Sequence, residues 1–392
     1  MSRSGLAVIS TRGSRRWQAG HPWIFRSDLV TPPVGAAGAV TVHDPQGRAL
    51  GTALWSPASE IALRFVSRSP EVTLDAAWWR ARIATAVARR QGILDAATTA
   101  CRLVHGEGDG LPSLVVDRFD RWLVVQLLSA GLEAHRAEIV SALQEVTGAE
   151  GILARNDASV RAREGLPREV EELAGTVPET IEVREHGVRY LAAPHTGQKT
   201  GAFLDQREAR VLVGSVARGR ALDLFSYHGS FALHLAARAE SVTAVDVSAA
   251  ALARGQENAA LNGRGNITCV EADVFDFLRA EERRGARYET IVLDPPAFAK
   301  NRASIAGALR GYRDLNFRAM RLLAPGGCLY TASCSYHVRK PDFLAMLEQA
   351  AADSGRRMIL RGLTGQPVDH PEVLTVPETG YLKGALIEAA DD

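Results

Sequence analysis

Lysine is nearly missing from this chain. Among 46 basic residues only Lys199, Lys300, Lys340 and Lys383 are lysine, all in the C-terminal half. Arginine carries basic charge almost everywhere, so an arginine-rich stretch is not by itself a nucleic-acid site. The rare ammonium groups offer a compact, mobile charge that a planar guanidinium cannot copy. Cysteine is scarce too: Cys101, Cys269, Cys328 and Cys334 show no paired spacing. That excludes a disulfide framework and a zinc site and points to a reducing, cytoplasmic setting with no metal. No apolar run approaches the ~18 residues of a membrane helix, and the opening MSRSGLAVIS holds no long apolar segment. No membrane partner is expected. Neither sign of charge dominates, since 46 basic and 45 acidic residues leave a net charge of +1. Acids are absent only locally, from residues 1–27, which carry Arg3, Arg12, Arg15, Arg16 and Arg26. That stretch reads either as a phosphate-contacting arm or as a consequence of arginine usage. With 392 residues, 46% of them apolar, the chain has core enough for two or three domains.

Glycine is missing where a dinucleotide site needs it. Residues 220–248 read RALDLFSYHGSFALHLAARAESVTAVDVS. An apolar run at 221–225, a turn Ser226-Tyr-His-Gly229, a helical pattern and a second apolar run at 242–246 make the βαβ unit of an open nucleotide-binding sheet. A pyrophosphate there requires G-x-G-x-x-G, so that bare backbone can approach it. The turn supplies only Gly229, and an acid, Asp223, ends the first strand. Asp246 is placed to accept hydrogen bonds from both ribose hydroxyls of a nucleoside, and Asp273 in VEADVF ends the third strand. Several acids with few glycines suit a cofactor that is cationic and lacks phosphate. S-adenosylmethionine fits; NAD does not. The candidate cofactor residues are Asp223, Phe225, Ser226, Tyr227, Gly229, Asp246, Val247, Ser248, Asp273, Val274 and, at the end of the fourth strand, Asp294. The alternative is a core βαβ unit with incidental acids.

Around this unit the chain falls into three predicted parts. Residues 1–72 read as a small β-barrel, with runs LAVIS, AVTVHD, LGTALW and IALRFV between Gly, Pro and Asp turns. Within it, RRWQAGHPWIF interleaves Arg15, Arg16, His21 and Trp23, a pattern that grips a backbone while stacking on bases, unless the aromatics only fill the core. Residues 73–192 read as a central α/β domain, entered by an amphipathic helix across 71–95 and closed by the hairpin IEVREHGVRYLAA around Gly187. Its Gly106, Gly108 and Gly110 alternate with acids and precede no helix, so they form no phosphate loop. Residues 193–392 read as a doubly wound domain with strands at 221–225, 242–246, 267–271, 290–294 and 327–333. The loop before it, HTGQKTGAFLDQR, offers Phe203, Asp205 and Gln206 to the methionine end of the cofactor. Asn258 reads as ordinary helix surface. HPEVLTVPETGYLKGALIEA reads as a closing hairpin bent near Gly380.

Two motifs carry chemistry. The fourth strand runs into IVLDPPAFAK, where consecutive prolines cannot continue a ladder and hold the preceding residues extended. Asp294-Pro295-Pro296 thus presents a carboxylate and carbonyls as acceptors for an exocyclic amine, and Phe298 can stack on a flipped base. The fifth strand ends in SCSYHV, placing Cys334 across the pocket from Pro296. Carbon 5 of cytosine is a poor nucleophile. A thiolate added to carbon 6 makes carbon 5 enamine-like and able to accept a methyl group, after which loss of the carbon-5 proton expels the cysteine. Cys269 and Cys328, among apolar strand residues, read as core.

GHPWIF, GEGDGLPSLVVDRF, HTGQKTGAFLDQR, DLFSYHGSFALHLA, DPPAFAK, SCSYHV and PETGYLKG together resemble, over nearly the full length, the bacterial ribosomal RNA large subunit methyltransferase I family. Ser113 departs from it, standing where glycine is more usual. The resemblance implies an N-terminal PUA barrel that binds RNA, a class I (Rossmann-like) methyltransferase sheet, and formation of 5-methylcytosine in 23S rRNA. Cys334 is then the nucleophile and Asp294-Pro295-Pro296 the substrate loop. Lys199 and Lys300, two of the rare lysines and both inside these motifs, are further candidate RNA contacts. Relatives sharing the loop modify other positions or the exocyclic nitrogen of guanine. Guanine N-methylation, with Cys334 structural, therefore stays open, as does a non-catalytic ribosome-assembly factor. The proton acceptor is not identifiable from sequence, and the oligomeric state, homodimer included, stays open.

Overall fold

The computed structural model describes residues 5–299 and 302–390. Two compact units make up the chain, one from residues 1–183, 192–204 and 368–379, the other from 184–191, 205–367 and 380–392.

In the first unit, six strands between Leu6 and Ser67 form one sheet whose two edges are Trp23–Phe25 and Leu29–Thr31. A single turn, Arg26–Asp28, joins those edges. A connection that short forces the sheet to curl until its edges approach, which is how the expected barrel arises. Ile9, Ile24, Val42, Leu50 and Leu63 fill it. Further along, strands Ala100–His105, Leu114–Phe119, Trp122–Leu127, Gly151–Arg155 and Val170–Gly175 lie in sequence order in a second sheet. Helices Ala76–Ala88 and Arg136–Thr147 pack on it through Trp79, Ile83, Ile139 and Leu143. The first of these helices is shorter than the sequence suggests. Asp75 caps its start by accepting from the Trp78 N–H at 2.8 Å. Just past its end, Arg90 turns inward to a buried bidentate contact with Asp109 at 2.6 and 2.8 Å. Asp109 also takes the His105 N–H, so the glycine-and-acid turn is a structural clasp.

In the second unit the elements run α1 (Arg207–Val216), β1 (Arg220–Leu224), α2 (Ser230–Leu235), β2 (Ser241–Asp246), α3 (Ala249–Leu261), β3 (Ile267–Glu271), α4 (Val274–Arg283), β4 (Tyr288–Leu293), α5 (Ile305–Leu322), β5 (Leu323–Ser333), α6 (Lys340–Ser354), β6 (Met358–Thr364) and β7 (Lys383–Ala389). The sheet order is β3-β2-β1-β4-β5-β7-β6, with β7 antiparallel to both neighbours and the remaining pairs parallel. Strand order reverses between β1 and β4, and the crevice of such a sheet opens at the carboxyl ends there. Asp223 of β1 pairs with Ala244 of β2 and Val292 of β4, so the acids that follow are brought level.

The closing hairpin differs from expectation. Its first arm is β6, and residues 368–379 belong to the first unit. Pro371 and Pro377 cannot donate to a ladder, and the segment instead folds into a short bridge, Val373 to Val376, and a turn at Pro377–Thr379. α1 is tied to the strand Ile181–Glu185 by Arg210, whose guanidinium donates to both Glu185 oxygens at 2.6 Å. Burial alone would raise the Glu185 acid, but Arg210 outweighs it and holds the carboxyl well below its usual range.

Ser113 sits at φ 70°, in the left-handed region, while its carbonyl accepts from the Leu128 N–H at 3.0 Å. A side chain there is strained, and glycine is not. Ser113→Gly is expected to stabilise the first unit by about 0.5–1 kcal/mol, read as a higher urea midpoint; a lower midpoint would show that the hydroxyl contributes more than the strain costs.

Candidate active site

Asp223, Asp246 and Asp294 meet at the carboxyl ends of β1, β2 and β4. Asp223 is 1% exposed. One of its oxygens takes the Ala232 N–H of α2 at 2.9 Å, and the other, Oδ1, has no partner. Burial pushes its acid well above the ordinary carboxylate range, and the neighbouring Asp294 and Asp246 push it further. A buried, unpaired acceptor among like charges is costly unless a cation completes it.

The turn after β1 is backbone under constraint. Phe225 and Tyr227 both adopt positive φ, 62° and 51°, and Gly229, at 80°, caps α2. Each strained non-glycine costs roughly 1–3 kcal/mol and persists only where its surroundings over-determine it. Here the Ser226 N–H reaches the Val245 carbonyl at 3.0 Å and the Tyr227 N–H reaches Asp246 Oδ2 at 2.9 Å. Asn258 is not helix surface: it is fully buried, donates to the His228 carbonyl at 3.0 Å and accepts from the Leu191 N–H at 2.9 Å. His228 stacks on Tyr190 at 5.5 Å, and burial, helped by Arg210, lowers its pKa to about 4. It therefore stays neutral.

Asp246 also accepts from the Ser248 N–H at 2.9 Å, and Ser248 caps α3. Each carboxylate oxygen keeps a second lone pair for a ribose hydroxyl. Val247 is exposed, whereas Val274 lies in the core. Asp273, exposed, caps α4 by accepting from the Asp276 N–H; β3 itself ends two residues earlier, at Glu271.

Beside these, Gln206 Nε2 donates to Asp294 Oδ1 at 3.0 Å, and its carbonyl takes the Tyr330 hydroxyl at 3.2 Å. Burial raises the Tyr330 phenol, which stays a donor. Asp205 accepts from the Tyr381 hydroxyl at 2.7 Å. Along β5 the alternation of side chains puts Tyr330 and Ala332 in one cluster with Phe231 and Leu382, and Cys334 packs against that same cluster. The side chains of Thr331, Ser333 and Ser335 alternate with these. Cys334 and Asp294 therefore share the face that carries α1. On the other face Tyr312 of α5 stitches the two motifs together. Its hydroxyl bonds Ser335 Oγ at 2.9 Å and the Pro296 carbonyl at 3.3 Å, while Ser335 Oγ accepts from the Ala299 N–H at 3.2 Å. Phe298, half-buried, packs 4.7 Å from the Tyr312 ring and 6.4 Å from Phe275. In this arrangement it anchors the loop, while Pro296 and Ala297 are the exposed part. Pro295 is buried. Lys383 Nζ, buried, donates to the Ser335 and Tyr381 carbonyls at 2.7 and 2.8 Å. Sequence reading missed Tyr312 and Tyr330, which look like core aromatics; the scarcity of lysine was the one signal for Lys383.

The residues expected to meet RNA lie in the first unit, apart from Lys300, which lies outside the described residues. Arg15 is exposed, but Arg16 pairs with Asp28 and covers Phe25 at 4.6 Å. His21 faces Glu378 at 3.1 Å, and the Trp23 indole donates to Glu107 at 2.8 Å. Lys199 sits 4.4 Å over the Phe203 ring, and Phe203 belongs to this unit. A groove of about 390 Å³ opens between Trp17, His21, Pro22, Phe65, Arg68 and Arg82, with no carboxylate in its wall. Arg68 lies 4.7 Å over Trp17. Among the described residues neither Arg68 nor Arg82 forms an ion pair.

The second unit fits S-adenosylmethionine: the orphaned Asp223 oxygen and its acidic neighbours match a sulfonium and an ammonium group, and no phosphate cradle competes. Comparison with known proteins agrees. Residues 101–386 match the S-adenosylmethionine-dependent methyltransferase family, and residues 8–68 match a PUA-like domain. The fold resembles the solved structure of SMU.776 complexed with SAH, at a TM-score of 0.85 and 22% identity, covering 98% of this chain and 100% of that one. Ribosomal RNA large subunit methyltransferase I of Shewanella amazonensis is 40% identical over 376 residues, 93% of this chain and 94% of that protein. The same enzyme of Serratia proteamaculans is 38% identical over 378 residues, with 93% and 94% covered. The chain belongs to the ribosomal RNA large subunit methyltransferase I family, whose members are S-adenosylmethionine-dependent enzymes.

Proposed function

We propose that this chain methylates carbon 5 of a cytosine in large-subunit ribosomal RNA, in the cytoplasm, through a covalent adduct on Cys334. The observation that carries the reading is the shared face at the ends of β4 and β5. Leu293 pairs with Thr331, so Asp294 leaves the sheet one residue past that pair, and Cys334 follows three residues past it on the side of Gln206 and Tyr330.

S-adenosylmethionine supplies an electrophilic methyl group. Asp223 and its neighbours bind the cationic end, and Asp246 binds the ribose. Asp294, fixed by Gln206, accepts from the exocyclic amine of the base and sets its plane. A Cys334 thiolate would add to carbon 6, carbon 5 would take the methyl group with the electron pair so generated as the sulfonium becomes a neutral thioether, and loss of the carbon-5 proton to solvent would re-form the ring double bond and release the thiolate. Residues 1–72 hold RNA, 73–192 form the central domain and 193–392 perform the transfer. The groove of Trp17, Phe65, Arg68 and Arg82, whose wall His21 shares, takes the part expected of Arg16 and Trp23, because those two are engaged within the protein.

Three outcomes test this. Cys334→Ala should lose 5-methylcytosine formation by about a thousandfold or more while binding S-adenosylmethionine as the wild type does. The readout is nucleoside mass spectrometry on rRNA lacking the modification; a methylated guanine that survives the substitution would move the chemistry to the Asp294 loop alone.

Asp223 has a raised acid, and a cationic ligand favours its ionised form. Cofactor affinity should therefore fall as the pH is lowered through the raised Asp223 value, and Asp223→Asn should flatten that profile at an affinity about tenfold lower. Ligand-free stability has the opposite sign. The stabilisation from a protonated Asp223 is complete below the unfolded value, about 3.9, and is lost as pH rises through the folded one. Asp223→Asn should then unfold later than wild type at neutral pH. Calorimetric titration and melting across pH read both, and a pH-independent wild-type affinity would remove Asp223 from the cofactor site.

Arg68→Gln with Arg82→Gln should lower the slope of log affinity for single-stranded RNA against log salt by about 0.7 per lost contact. An unchanged slope in fluorescence anisotropy would take the groove out of the RNA path.

A further inference from the structure

At the end of α2 away from the cofactor turn, the second unit has a cavity of about 410 Å³ that methyl transfer does not use. α2 is six residues long, so this cavity and the Gly229 cap are separated by about 9 Å of helix. Four elements converge on it: the hairpin tip at His186 and Gly187, the second half of α1, the end of α2 with His234 and Arg238, and the end of α3 with Asn262 and Arg264.

Its charge is of one sign. Arg238 and Arg264 line it, and no carboxylate does. Among the described residues neither guanidinium forms an ion pair. Glu185 stands behind His234 at 3.1 Å and is already covered by the two bonds from Arg210. The uncharged donors are used up too. Asn262 bonds the Arg189 backbone in both directions, and the Ser215 hydroxyl donates to the Leu212 carbonyl. The Arg264 Nε–H is left buried with no acceptor. An unmet buried donor on a charged group costs several kcal/mol, and an anion meets it with a charge-assisted bond.

We infer that this cavity binds a phosphate group, with Arg264 Nε and the Arg238 guanidinium as its donors, at a site separate from methyl transfer. Two sources supply that chemistry, the phosphodiester backbone of an RNA and a free phosphate. Arginine presents a planar fork that matches phosphate oxygens in either case.

The test uses the full chain with Arg238→Gln and Arg264→Gln made separately, since the second removes a guanidinium whose Nε is buried and circular dichroism must first show it folded. One arm measures anisotropy of a single-stranded RNA oligonucleotide across a salt series; the other titrates inorganic phosphate by calorimetry. A salt slope lower by about 0.7 in Arg238→Gln assigns the site to the RNA backbone. Inorganic phosphate affinity reduced at least about tenfold, with the RNA slope unchanged, assigns it to free phosphate. Wild-type behaviour of folded Arg238→Gln in both arms overturns the proposal. Neither arm involves methyl transfer, so loss of the cytosine reading would leave this result standing, and unchanged S-adenosylmethionine affinity in both variants confirms that the two sites are separate.

Discussion

The catalytic unit depends on holding a strained turn still. Phe225 and Tyr227 occupy left-handed backbone without being glycine, and the cost of two such residues is a sizeable fraction of an ordinary domain's stability. The turn survives because its amides and carbonyls are taken from three directions: β2 through Val245, Asp246 through its carboxylate, and α3 through Asn258. A glycine-rich turn would relax into other shapes and expose bare backbone, which serves a pyrophosphate. A turn with side chains locked in place presents shaped walls and acids instead, and that serves a nucleoside with a positive tail. The choice between cofactors is made by conformational freedom as much as by charge.

The second constraint is that β5 must serve both of its faces at once. Alternation along an extended strand sends Cys334 toward α1 and sends Ser333 and Ser335 the other way. The face away from the thiol is where the rigid construction lies. Tyr312 bridges the Asp-Pro-Pro loop to the Ser335 hydroxyl, and Lys383 holds the Ser335 carbonyl from the antiparallel neighbour β7. Burial raises the Tyr312 phenol, so it remains a hydroxyl able to donate to Pro296. The Asp-Pro-Pro loop and the Cys334 strand end are thus fixed relative to each other by Tyr312 and Lys383.

Much of this was legible in the sequence because it rests on local rules. The βαβ unit, the acids Asp223 and Asp246 on its strands, the two prolines that stop β4 and the cysteine at the end of β5 follow from periodicity and backbone chemistry over a few residues. What escaped depends on distant partners. Asn258 reads as helix surface because nothing nearby in sequence reveals that Leu191 and His228 arrive to bond it. The tail reads as a hairpin because its apolar residues alternate, yet prolines at 371 and 377 deny it a ladder and β6 takes its place. Arg16, His21 and Trp23 look free because basic and aromatic residues interleave, while their partners Asp28, Glu378 and Glu107 lie 12, 357 and 84 positions away.

The same distinction explains how an arginine-rich chain of almost zero net charge can handle a polyanion. Among the described residues many guanidiniums are bound to acids and act as struts, as in Arg90 with Asp109, Arg102 with Asp117 and Arg210 with Glu185. Counting them says little about nucleic acid. The informative ones are those that folding leaves without an acid, such as Arg68 beside Trp17 and Arg264 with its buried Nε. Pairing many basic residues with acids internally weakens the positive field away from the arginines that lack an acid. Arginines without an acidic partner are the ones left to meet an anion, while the acids gathered at the carboxyl ends of β1, β2 and β4 favour a cation there.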